Sequence, residues 1–160
     1  MPDTTVKQYL ESMRILVEAS GKAHKRKVEL GWRWSCVDDL VLCEGKQFTY
    51  APKPKDVKYG KIKECFRNAF YLAEKRPDLT YVEGYANSII PVWHGWCVTA
   101  DGTVVDPTWR PIERENRDYF GIPFGLKFLY RRMCETKQFG ILYGMPPIFV
   151  IDPAEFRERL

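Results

Sequence analysis

The chain has 160 residues, a formal net charge of +4, 45% apolar residues and 14% aromatic residues. That is one domain's worth of sequence, apolar enough to bury a core without staples, and it excludes a disordered or low-complexity chain. The charge is too modest to indicate nucleic acid by itself, no apolar run approaches the ~18 residues of a membrane span, and Met1-Pro2-Asp3-Thr4-Thr5 has neither the basic flank nor the apolar stretch of a signal peptide.

Five cysteines, an odd number without paired spacing, predict free thiols in a reducing cytoplasm. No pair of Cys or His has the short ligand spacing of a structural zinc site.

Residues 5–19 are predicted to form an amphipathic helix, with Thr5 and Gln8 as a capping box and Val6, Leu10, Met13 and Val17 at helical spacing. Gly21 closes it, and a basic run follows from Lys22 through His24 to Lys27. Ser35 is predicted to cap a short helix through Val41, Leu42 and Cys43, stopped by Gly45. Residues 50–56 carry Pro52 and Pro54 and form an extended loop. After Gly60 a helix begins at Cys65 and runs to Lys75, ahead of Pro77.

Three strands are predicted next, over 80–86, 88–99 and 103–106, the last two joined by an Asp101-Gly102 hairpin turn. Tyr119 to Phe124 is expected to be a packed apolar loop, and 126–134 is open between helix and strand. Residues 147–151 predict a short strand, and Asp152 caps a last helical turn with Pro153 at its first position. No repeat or second domain is visible, so 1–160 is one unit.

Chemistry concentrates on Cys65, His94 and Asp106. A thiol reacts as thiolate, which the N–H groups and dipole of a helix N-terminus stabilise, so Cys65 in a first helical turn is well placed for attack. A histidine can take the thiol proton and later give it to a leaving group, and an aspartate on an adjacent strand can fix its ring and tautomer. His94 and Asp106 flank the hairpin turn at similar distances. Because side chains alternate along a strand, Trp96 shares a face with His94 and can shield the pair from water, while Cys97 faces away.

The run His94-Gly95-Trp96, then Asp101-Gly102, then Val105-Asp106-Pro107-Thr108, following a helix-borne Cys65, resembles the transglutaminase-like core of the papain-type cysteine enzymes. The likeness covers roughly residues 59–109. It implies an α+β fold in which N-terminal helices, including the Cys65 helix, pack on a small antiparallel sheet. It also implies Cys65 as nucleophile, His94 as base and Asp106 as orienter. The chain departs from the pattern at Gly95, where a larger residue is common, and at Phe66-Arg67-Asn68-Ala69 after the cysteine. The core also resembles small proteins of bacteria and their phages.

The expected function is therefore cysteine-dependent hydrolysis or acyl transfer on an amide or peptide bond, through a thioester. The substrate would be a peptide, a protein or an amide-containing small molecule, and no metal or organic cofactor is implied. Gln47 and Tyr59 are candidate oxyanion donors from upstream. Asn68, one turn after Cys65, can fix local geometry, and Glu83 is a candidate cleft residue whose plainer role is to support a neighbouring loop. The rival reading is an inactive domain that uses the cleft to bind a peptide or protein.

Taken singly, each residue has a structural explanation. Cys36, Cys43, Cys97 and Cys134 are expected to be buried structural thiols, and His24 a solvated surface residue. The basic run followed by Trp32 and Trp34 invites a nucleic-acid reading, but charge runs are mostly solvated faces and this one is diluted by acidic neighbours.

Overall fold

A computed structural model describes residues 5–87, 89–111 and 117–159. It is an α+β fold with five α-helices and a curled five-stranded antiparallel sheet among these residues. No helix among them is long and apolar enough to cross a membrane.

Helix α1 (Val6–Ala19) opens on the expected capping box: Gln8 N–H donates to Thr5 Oγ1 at 3.2 Å, and Thr5 N–H donates to Gln8 Oε1 at 2.9 Å. Val6 and Leu10 are buried; Met13 and Val17 are half-buried. Gly21, in the left-handed region at φ 68°, ends this helix and starts α2 (Lys22–Leu30). The basic run therefore lies on a helix the sequence did not reveal, since almost nothing in it is buried. His24 is exposed, as expected. Trp34 is in the core and Trp32 packs edge-on against Phe149 with centroids 5.0 Å apart, so both indoles serve packing.

Helix α3 (Val37–Glu44) is capped by Cys36, whose sulfur accepts from Asp39 N–H at 3.5 Å, and not by Ser35. Ser35 instead bonds the Asp39 carboxylate through its N–H and hydroxyl. After β1 (Lys46–Phe48), α4 (Cys65–Lys75) occupies the predicted span. The remaining strands are β2 (Thr80–Asn87), β3 (Pro91–Val98), β4 (Val104–Val105) and β5 (Asp118–Phe124), in the order β1-β5-β2-β3-β4. Part of the predicted 88–99 strand, Ser88, lies outside the described residues.

The expected loop at 119–124 is in fact the strand β5, paired with β1 on one side and β2 on the other. It is buried on both faces, which hides the alternation, and Gly121 and Pro123 read as breakers. Both have a place: β1 ends opposite Gly121, leaving Pro123 beyond the pairing on that edge, and a Cβ on Gly121 would stand 2.8 Å from the Trp96 ring. Residues 126–134 resolve as helix α5 (Leu126–Thr136). The predicted strand at 147–151 is a 3₁₀ turn, Ile148–Val150. It buries the consecutive Ile148 and Phe149 and leaves Val150 out, whereas a strand would have alternated. Pro153 does begin a final 3₁₀ turn capped by Asp152, which accepts from Ala154 N–H at 2.9 Å.

Helices and one sheet face enclose the larger core. The other face curls on itself, because Thr49 bridges to Thr103 and Val104 N–H donates to Thr49 O at 2.9 Å. Inside that curl lies a second apolar cluster of Phe48, Val82, Trp96, Val98, Val104 and Tyr119. Helix α4 crosses β3 at Gly95, where a Cβ would stand 2.8 Å from Phe66 Cδ1 and 3.1 Å from Phe66 Cα. The glycine at this position thus permits a close approach of helix to strand. Gly95→Ala is expected to cost about 1–3 kcal/mol, read as a lower urea midpoint, because the Phe66 backbone cannot rotate away.

Candidate active site

Cys65 is the first residue of α4, and Glu64 before it provides no side-chain cap. The leading N–H groups of the helix therefore face outward beside the sulfur. Cys65 is half-buried. Strand β4 pairs only with Cys97 and Val98, so the edge of β3 around His94 is left open, next to the end of α4.

His94 and Trp96 share the face that looks into the curl, and Cys97 faces α4, where its thiol donates to Ala69 O at 3.2 Å. Asp106 follows β4 directly on the His94 side. His94 Nε2 and Asp106 Oδ2 are 2.8 Å apart, at 2% and 5% exposure. Cys65 is the other ionisable side chain that acts on the ring. Nε2 is already engaged, which leaves Nδ1 for the sulfur.

The carboxylate of Asp106 is saturated. Oδ1 accepts from Thr108 N–H at 2.8 Å and Trp109 N–H at 3.1 Å; Oδ2 accepts from Tyr119 Oη–H at 2.9 Å as well as from His94. Burial pushes this carboxyl up, but the His94 charge and these bonds hold it below its ordinary value. Burial alone would lower the His94 pKa. The Asp106 charge and bond, joined by Cys65, outweigh that and raise it to about 9. The ring is therefore protonated at neutral pH.

Two indoles stack on the imidazole: Trp109 at 4.1 Å and 24°, and Trp96, itself fully buried, at 6.1 Å and 17°. The sequence points to Trp96 at the site, but not to Trp109, nor to the Tyr119 hydroxyl as a partner of Asp106. Trp109 had a signal, since it stands three residues after Asp106 in the same turn. Tyr119 had none, because its segment read as a loop.

Asn68 holds the site's two halves together. Its Nδ2 donates to Lys61 O at 2.8 Å and to Thr108 Oγ1 at 2.9 Å, tying α4 to the turn that shapes Asp106. Glu83 is fully buried on the α4 side and supports a neighbouring loop. Oε1 accepts from Trp93 Nε1–H at 2.9 Å and Leu142 N–H at 2.8 Å, Oε2 from Tyr81 Oη–H at 2.8 Å, and both from Ile141 N–H at 3.0 Å. Burial outweighs those bonds and raises its pKa to about 7.

Gln47 is not brought to Cys65. It is exposed on β1, and its amide donates to Asp118. Tyr59 lines a groove of about 630 Å³ with Gly60, Lys61 and Asn68, its ring between Lys53 at 4.4 Å and Arg110 at 4.7 Å. Among the described residues it has no hydrogen bond to the three central side chains. The other cysteines also differ from expectation: only Cys97 is buried, Cys36 is half-buried, and Cys43 and Cys134 are exposed. Among the described residues no group of three or more His, Cys, Asp or Glu could hold a metal ion.

Comparison with protein-family models, with curated proteins and with solved structures found no match to this chain.

Proposed function

We propose that the protein is a cysteine-dependent acyl-transfer enzyme, with a papain-like, transglutaminase-like core, that hydrolyses an amide or peptide bond. The observation that carries this reading is the buried His94, hydrogen-bonded to Asp106, with Cys65 at a helix N-terminus as the other side chain that acts on its ring.

With the ring protonated at rest, the Cys65 sulfur attacks the carbonyl carbon as thiolate and the π electrons move onto oxygen. The opening N–H groups of α4 face that oxyanion and take the place foreseen for Gln47. The tetrahedral species collapses, the C–N bond breaks, and His94 gives its proton to the departing amine. The now neutral His94 takes a proton from water, whose oxygen attacks the thioester carbonyl. Acid leaves, and thiolate and imidazolium are restored. An amine in place of water would make the same cycle a transfer.

Iodoacetamide labelling read by peptide mass spectrometry tests the pair. At pH 6–7, Cys65 is expected to label about tenfold or more faster than the exposed Cys134, and His94→Ala is expected to remove that advantage. The advantage should persist until His94 loses its proton near pH 9. Equal labelling of the two thiols, or indifference to His94, would discard the catalytic reading in favour of a binding module.

A further inference from the structure

Beside Cys65 lies a groove of about 410 Å³ whose walls are Phe66, Trp93, Phe139 and Gly140. Phe66 follows the nucleophile on α4 and Trp93 precedes the base on β3, so the groove lies at the Cys65 end of α4, on the face of β3 opposite His94. Besides Glu64, Arg67 and Gln138, its lining is aromatic and backbone: Phe66 and Trp93 lie with centroids 4.3 Å apart, and a Cβ at Gly140 would stand 2.7 Å from the Trp93 ring and 3.1 Å from Phe66.

The charges at its mouth are spent on each other. Glu64 pairs with Arg67 at 3.2 Å and with Lys61 at 2.8 Å, so a charged ligand group would have to break an existing pair. The far wall is also held in place. Glu83 bonds the Trp93 indole and the N–H groups of Ile141 and Leu142, directly after Gly140. A fixed apolar slot of this kind discriminates by side-chain size and gives up little binding free energy to ordering.

We propose that this groove is the subsite for the acyl residue, and that it takes a large apolar, preferably aromatic, side chain on the residue whose carbonyl Cys65 attacks. The proposal rests on the acyl-transfer reading above. The acyl side is the one bonded to sulfur at the thioester stage, and the groove begins at the next residue of the same helical turn. Desolvating an aromatic side chain there favours it over glycine by roughly 10- to 100-fold.

The test uses N-acetyl aminoacyl chloromethyl ketones of Phe, Gly, Asp and Lys, in which the sulfur displaces chloride. Iodoacetamide serves as a probe too small to reach the groove, and adducts at Cys65 are timed by mass spectrometry. The Phe reagent is expected to react at least about tenfold faster than the Gly reagent, with Asp and Lys no faster than Gly. Phe66→Ala and Phe139→Ala should each bring the Phe-to-Gly ratio close to one. Equal Phe and Gly rates, a fastest charged reagent, or an unchanged ratio in either folded variant would overturn the subsite while leaving a His94-dependent iodoacetamide rate, and hence the acyl-transfer reading, intact. Loss of that His94 dependence removes both.

Discussion

Asp106→Ala is expected to lower stability by about 3–5 kcal/mol and to abolish the His94-dependent reactivity of Cys65. The substitution removes the acceptor of four donors at once, His94 Nε2, Tyr119 Oη and the N–H groups of Thr108 and Trp109, in a site only 5% exposed. Asp106→Asn separates fold from chemistry. Its amide oxygen still accepts from Thr108 and Trp109, so urea unfolding should show a smaller loss. Its NH₂ group, however, faces Nε2, which forces the imidazole proton onto the nitrogen that must serve the sulfur. Any hydrolytic rate should then fall by about three to four orders of magnitude.

The pH dependence gives the same pair a second signature. His94 is raised from 6.5 to about 9, so its share of stability is complete below pH 6.5 and lost as pH climbs through 9. Asp106 is lowered, so the same interaction is present above pH 3.8 and lost as pH falls through its depressed value. The wild type should therefore lose urea resistance between pH 6.5 and 9.5, and Asp106→Asn should be flat over that window.

How far these residues could be read in the sequence follows from where each one's constraint lies. The Cys65 helix and the His94 hairpin announce themselves because their signals are local: Pro77 beyond the helix and Asp101-Gly102 in the turn. Strand β5 does not, because its Gly121 and Pro123 answer to Trp96 and to the end of β1, which are far away in sequence. The same holds for Tyr119, whose role exists only once β5 lies beside β2 in the curl. Helix α2 lacked an apolar stripe to betray it, and Ile148–Val150 had strand composition without a neighbour to pair with. Gln47 failed for a related reason. Its residue type suits an oxyanion donor, but nothing local to Gln47 says that its amide will be taken up by Asp118, far away in sequence.

Glu83 separates support from catalysis, and its two substitutions should diverge strongly. Glu83→Ala leaves Trp93 Nε1, Tyr81 Oη and the N–H groups of Ile141 and Leu142 without their acceptor in a fully buried site, and should cost about 3–5 kcal/mol. Glu83→Gln should be tolerated. Its oxygen can stand at Oε1 and keep Trp93, Ile141 and Leu142, while the Tyr81 hydroxyl turns to accept from the new NH₂ group. The carboxyl of the native residue is raised from 4.5 to about 7, so its contribution is most favourable below pH 4.5 and declines as pH rises to 7, where the buried group must ionise. The amide has no such decline. Urea unfolding at pH 5 should therefore find Glu83→Gln slightly weaker than wild type, and at pH 8 equal or stronger, the relative change being on the order of 3 kcal/mol. Parallel stability curves would mean that Glu83 does not titrate in the fold. A Glu83→Gln protein that keeps its Cys65 labelling rate at every pH would place Glu83 outside the chemistry, as a support for the Trp93 and Gly140 wall.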